Sequence, residues 1–140
     1  MRQILLFAAL AASLALLSGC ALSKAKADTA EDMTDKAAYQ KISSEEAYEM
    51  IASQEVVVVD VRTREEYDGG HIENAVLVPN ESIGSEMPEV LPDKEAPLLV
   101  YCRSGRRSKD AAEKLLALGY QSVYNFGGVI DWPYELVKEG

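Results

Sequence analysis

Cys102 opens the run Cys102-Arg103-Ser104-Gly105-Arg106-Arg107-Ser108, which places one thiol at the head of a loop with three guanidiniums, a glycine and two serines. A thiol attacks as its thiolate, and an ordinary pKa of about 8.5 falls to roughly 3.5–7.5 beside cations or at a helix N-terminus. Both conditions are written into the flanks. Pro97 to Tyr101 is apolar enough for a buried strand, and Lys109 to Leu118 has helical periodicity, so Cys102 sits at a strand-to-helix turn. There the first N–H groups of the helix converge and favour negative charge. Arginines cannot share an apolar pocket with a structural cysteine without a large desolvation cost. The reading is therefore a nucleophilic Cys102 on an anion-binding loop.

The elements that must hold this loop alternate in type. Ser43 or Ser44 can cap a helix running through Ala52, and Ser43 with Glu46 has the capping-box spacing. Val56 to Val59 is β-branched without polar alternation, the mark of a strand buried on both faces. A helix-like piece, Glu65 to Tyr67, and a strand-like piece, Ala75 to Val78, precede an irregular stretch to Pro97 and the strand Leu98 to Tyr101. The amphipathic helix Arg107 to Leu118 stops at Gly119, a left-handed cap position. A last strand, Ser122 to Asn125, leads through Gly127-Gly128 into an expected terminal helix bearing Trp132, with Pro133 in its first turns. This alternation predicts an α/β domain with a parallel sheet and helices on both faces, its ligand site beyond the carboxyl ends of the strands.

Ahead of the domain, Arg2 and the apolar stretch Ile4 to Leu17 have the form of an export signal too short to span a bilayer comfortably. It ends in Leu17-Ser18-Gly19-Cys20, which resembles the bacterial lipobox. That resemblance implies cleavage of a signal peptide at residues 1–19, lipidation of Cys20, and a protein held by lipid on the outer side of a bacterial membrane, periplasmic where there are two. Residues 20–38 have no apolar periodicity and read as a tether, leaving 39–140 as one domain. Removing residues 1–19 takes away one arginine and no acid, moving the formal charge from −9 to −10. Such acidity argues against nucleic-acid partners and leaves the loop arginines as a local positive site for a small anion. With Cys20 lipidated, Cys102 has no partner for an internal disulfide.

Three blocks together resemble the rhodanese-like domain. They are Asp60-Val61-Arg62-Thr63-Arg64-Glu65-Glu66-Tyr67 continuing through His71-Ile72 and Asn74-Ala75, the Cys102 loop, and Gly127-Gly128 followed by Trp132. The resemblance implies a parallel sheet of about five strands flanked by helices, and a single-domain thiosulfate sulfurtransferase whose cysteine carries a persulfide. The residues support such chemistry in their own right: a Cys102 thiolate takes the outer sulfur of thiosulfate or a persulfide donor and yields it to cyanide or a thiol, with no metal or organic cofactor needed. The backbone from Arg103 to Ser108 would cradle the charged sulfur, Gly105 permitting the curve, and Arg106 and Arg107, with Arg103 as a further candidate, would face the anionic donor. The alternative is a persulfide carrier that docks on a partner protein without turnover. Cysteine phosphatases use a related device with five residues between cysteine and arginine, but counting from Cys102 that place falls on Ser108, so the loop is the shorter type.

Asp60 and Arg62 end the valine strand as supporting residues, either on the rim of the site or fixing neighbouring loops. The sole histidine, His71, lacks a second histidine or spare cysteine nearby, so it reads as a turn contact and not a metal ligand. Glu65 and Glu66 read as a solvated helix face, and Trp132 as an anchor for the terminal helix. The protein is expected to be a monomer.

Overall fold

The computed structural model describes residues 38–139, so the expected export signal, the expected lipidation of Cys20 and the expected tether up to residue 37 lie outside the described residues. Five strands form one wholly parallel sheet: β1 (Gln40–Lys41), β2 (Val57–Asp60), β3 (Val76–Leu77), β4 (Leu98–Cys102) and β5 (Val123–Gly128), in the order β1-β5-β4-β2-β3. Three helices connect them, α1 (Ser44–Ser53), α2 (Arg64–Asp68) and α3 (Arg106–Ala117). The fold is the expected α/β sheet of five strands, with β4, which ends in Cys102, at its centre.

Strand alternation sorts the core into two layers. Leu98, Val100 and Cys102 pack with Val59 and Val61 against Ala111, Ala112 and Leu115 of α3. Leu99 and Tyr101 point the other way, joining Val58, Phe126 and Trp132 with Ala47 of α1 and Tyr67 of α2. Helices thus cover both faces, and Cys102 belongs to the α3 side.

The caps explain where the helices begin. Ser43 Oγ accepts the Glu46 N–H at 3.1 Å while Glu46 Oε2 accepts the Ser43 N–H at 2.7 Å, a complete capping box for α1. Thr63 and Glu66 repeat the device on α2, at 3.3 and 3.1 Å. Helix α3 ends at the C-cap Leu118, followed by Gly119 at φ 93°, as its sequence predicts.

Three features differ from the sequence reading. Strand β1 carries no apolar signal because both of its residues are exposed; it is a strand only through its pairing with β5. Strand β5 runs on to Gly128 because a bulge shifts its register, pairing Val100 with Asn125 but Tyr101 with Gly127, so that the two glycines lie beside the end of β4. The expected terminal helix is absent. A single 3-10 turn, Val129–Asp131, ends at Trp132 with φ −81° and ψ 112°, extended backbone of the kind that the ring of Pro133 imposes on its predecessor. The chain then reaches Val137, whose N–H donates to His71 O at 2.8 Å and whose carbonyl accepts the His71 N–H at 2.9 Å.

Candidate active site

Helix α3 lacks the cap that α1 and α2 possess. Its N-cap is Gly105, in the left-handed region at φ 99°, with no side-chain hydrogen bond to the free N–H groups and no acid in the first turn. The sulfur fills that role: the Gly105 N–H donates to Cys102 Sγ at 3.0 Å. Cys102 is buried at 1 % exposure, and burial alone pushes its thiol up, but the backbone N–H and hydroxyl of Ser108, with the N–H groups of Gly105 and Ser104, outweigh this and bring it below the ordinary 9.0. Apolar backing from the core and a polar mouth therefore coexist, for Arg103, Ser104 and Arg106 are exposed.

Ser108 is fully buried, and its single hydroxyl proton has a choice of acceptors besides the sulfur. Gly105 O lies at 3.0 Å, Asn125 Oδ1 at 2.9 Å and Gly127 O at 3.2 Å. Asn125 Oδ1 also accepts the Gly127 N–H at 3.0 Å, so one buried amide ties the bulge of β5 to the first turn of α3. Asn125 escaped the sequence reading, although a polar residue inside Val123-Tyr124-Asn125-Phe126 was the available signal.

The loop arginines divide. Arg103 and Arg106 are exposed and form no salt bridge among the described residues. Arg107 is half-buried and pairs two-fold with Glu66, Nη1 to Oε2 at 2.7 Å and Nη2 to Oε1 at 2.8 Å. This pairing, set against a smaller opposing effect of burial, draws the Glu66 carboxyl down to about 2. Glu66 is therefore no member of a solvated helix face, as its sequence context suggested; its carboxylate links α2 to the cysteine loop.

Asp60 and Arg62 lie together but not with Cys102. Asp60 is fully buried, and Arg62 Nη2 and Nε reach its Oδ2 at 2.6 and 3.0 Å, with Nε also 2.9 Å from Oδ1. The Tyr101 hydroxyl donates to Asp60 Oδ2 at 2.6 Å and accepts the Ile72 N–H at 3.1 Å, and Arg62 Nη2 donates to Gly70 O at 2.7 Å. Tyr101 belongs to the layer opposite Cys102, so this knot supports the sheet end from behind. Burial first, and the Asp60 carboxylate second, hold the Tyr101 phenol far above its usual range. His71 is buried, stacked on Tyr67 with ring centroids 3.6 Å apart, and its Nδ1 is 2.9 Å from Tyr67 O, a distance at which it carries the proton and donates. Trp132 anchors the α1 and α2 layer against Phe126 and Tyr134, without the helix expected around it.

The described residues thus form a small α/β domain with a five-stranded parallel sheet, whose one cysteine stands between the central strand and the start of the next helix. Residues 43–133 match the rhodanese-like domain family, and the chain belongs to it. The chain is similar to the tRNA uridine(34) hydroxylase of Hamiltonella defensa, with 34 % identity over 113 residues that cover 76 % of this chain and 32 % of that protein. It thus spans about a third of the length of that relative. Among solved structures, a rhodanese-related protein from Thermoplasma volcanium superposes with a TM-score of 0.62 at 30 % identity, covering 72 % of this chain and 100 % of that one. A human single-domain sulfurtransferase superposes at 0.60 with 27 % identity, covering 66 % of this chain and 93 % of that one.

Proposed function

We propose that this domain transfers sulfane sulfur through a Cys102 persulfide. The carrying observation is the Sγ seated 3.0 Å from the Gly105 N–H at the open N-terminus of α3. The Cys102 thiolate attacks the outer sulfur of the donor; a carbon–sulfur thiolate, or sulfite from thiosulfate, leaves with the electrons of the broken S–S bond. The new terminal sulfur bears the negative charge and is cradled by the loop N–H groups. A second nucleophile, cyanide or a thiolate, takes that sulfur and returns Cys102 to its thiolate, so the two half-reactions share a covalent intermediate. Membership of the family and the likeness to a sulfurtransferase support this reading. The tRNA-modifying relative does not extend it to RNA, because this chain carries a formal charge of −9 and covers only part of that protein.

The test is intact mass of the full chain in detergent after incubation with thiosulfate or an alkyl persulfide, then with cyanide. One sulfur gained at Cys102 and removed by cyanide, with saturable turnover, supports the enzyme. Stoichiometric loading without turnover supports the persulfide carrier instead, and no loading from either donor overturns both.

We further propose that the domain works as a monomer on the outer side of a bacterial membrane, tethered through a lipidated Cys20; the apolar stretch Ile4 to Leu17 and the sequence Leu17-Ser18-Gly19-Cys20 support this. Cys20→Ala should abolish lipid labelling and release the protein from membranes. Unchanged labelling would exclude that anchor.

A further inference from the structure

The cysteine loop is rich in arginine, yet the one arginine that is half-buried is already paired with a carboxylate. Arg107 is half-buried in the first turn of α3, two residues after Gly105, whose N–H meets the sulfur. Both Glu66 oxygens engage its guanidinium. The carboxylate cannot wander, because Oε2 also accepts the Thr63 N–H at 3.1 Å and the Thr63 hydroxyl at 3.2 Å as part of the α2 cap. Glu81, from the 3-10 turn Asn80–Ser82, adds a second negative charge acting on Arg107. Arg103 and Arg106, which form no salt bridge among the described residues, are exposed, where water weakens their charge.

We propose that Glu66 is a specificity-determining residue: by pairing Arg107 it keeps the inner wall of the site neutral and selects sulfane donors of low negative charge, such as alkyl persulfides, over the thiosulfate dianion. The proposal rests on the reading of Cys102 as a sulfur acceptor. It assigns Arg107 to charge balance and loop support, and leaves first contact with an anion to the exposed arginines.

Glu66→Gln tests it cleanly, since glutamine at the third helical position also completes a capping box. Alkylation of Cys102, followed on its own peptide, is compared for anionic iodoacetate and neutral iodoacetamide. Both reagents meet the same thiolate and expel iodide, so their rate ratio reports the local potential independently of sulfur transfer. At low ionic strength the ratio should rise about fivefold in Glu66→Gln, and fade with added salt. The KM for thiosulfate should fall by a similar factor, with that for an alkyl persulfide little changed. The double variant Glu66→Gln/Arg107→Gln, which removes the pair altogether, should return the ratio to its starting value. An unchanged or lowered ratio in Glu66→Gln overturns the proposal. A raised ratio in a protein that loads sulfur from no donor overturns the sulfur-transfer reading and, with it, donor selection, while locating the failure in the function and not in the charge.

Discussion

Gly128 lies directly beneath the backbone of Arg103: a methyl built on it would overlap the Arg103 carbonyl oxygen and sit 2.6 Å from both the carbonyl carbon and Ser104 Cα. These are backbone atoms with no rotamer to yield, so β5 and the cysteine loop can approach this closely only because the residue is glycine. Gly128→Ala should therefore displace the loop, destabilise the domain by about 1 to 3 kcal/mol or more, and raise the Cys102 titration as the N–H cradle opens. Denaturant unfolding together with pH-dependent alkylation checks both. A stable variant with an unchanged titration would show that the loop has another arrangement within reach.

Burial pushes the Cys102 thiol up and the N–H groups and Ser108 hydroxyl around it bring it down below its ordinary range, so its titration should answer to their loss. Ser108→Ala should move it upward, toward the range of an ordinary thiol, in a pH–alkylation profile. Stability carries the same information with a defined sign. The folded-state value is depressed, so the contribution is fully present above the unfolded value and is lost as pH falls through the folded one. The stability of the wild-type chain relative to Cys102→Ser should thus grow between the lowered value and about pH 9. Cys102→Ser should itself fold and load no sulfur, and a flat difference across that window would contradict a thiolate stabilised by the fold.

Much of this site was visible in residue order because its parts are local. Cys102, Gly105 and Ser108 follow one another at three-residue steps, and the apolar run before them and the amphipathic run after them place them where strand passes into helix. What stayed hidden depends on pairings far apart in sequence. Nothing near Glu66 signals that Arg107, 41 residues later, takes its carboxylate, and nothing in Gln40-Lys41 signals an edge strand whose bonds all come from β5. The missing terminal helix shows a local rule outweighing a pattern: Pro133 is compatible with the first turns of a helix bearing Trp132, whereas its steric effect on Trp132 ends the turn.

The Glu66 to Arg107 pair should leave an imprint on acid stability. The Glu66 carboxyl is depressed from 4.5 to about 2 in the folded chain, so the pair's contribution is complete above about pH 4.5 and lost as pH falls toward 2. Partial exposure keeps the contribution to about 1 kcal/mol. Glu66→Gln should lose this part of the pH dependence while retaining the helix cap, as urea unfolding at pH 3 and 6 would show. An identical pH dependence in both proteins would mean that the pair adds nothing to folding.

Asp60 offers the sharpest separation of support from chemistry. It is fully buried and answers the Arg62 guanidinium, the Arg62 backbone N–H and the Tyr101 hydroxyl at once. Removing one partner of a buried ion pair leaves the other charge uncompensated, so Asp60→Ala should cost about 3 to 5 kcal/mol. Tyr101→Phe, which removes the hydrogen bond to the Asp60 carboxylate and leaves the Ile72 N–H without its acceptor, should cost about 3 kcal/mol. Tyr101 faces the layer opposite Cys102 and Asp60 is bonded to its hydroxyl, so the thiol titration of the molecules still folded should match wild type. A titration that moves in step with the stability loss would put the Asp60 and Arg62 knot in electrostatic contact with the sulfur, and would restore the pair to the rim of the site where their position at the end of β2 first suggested it.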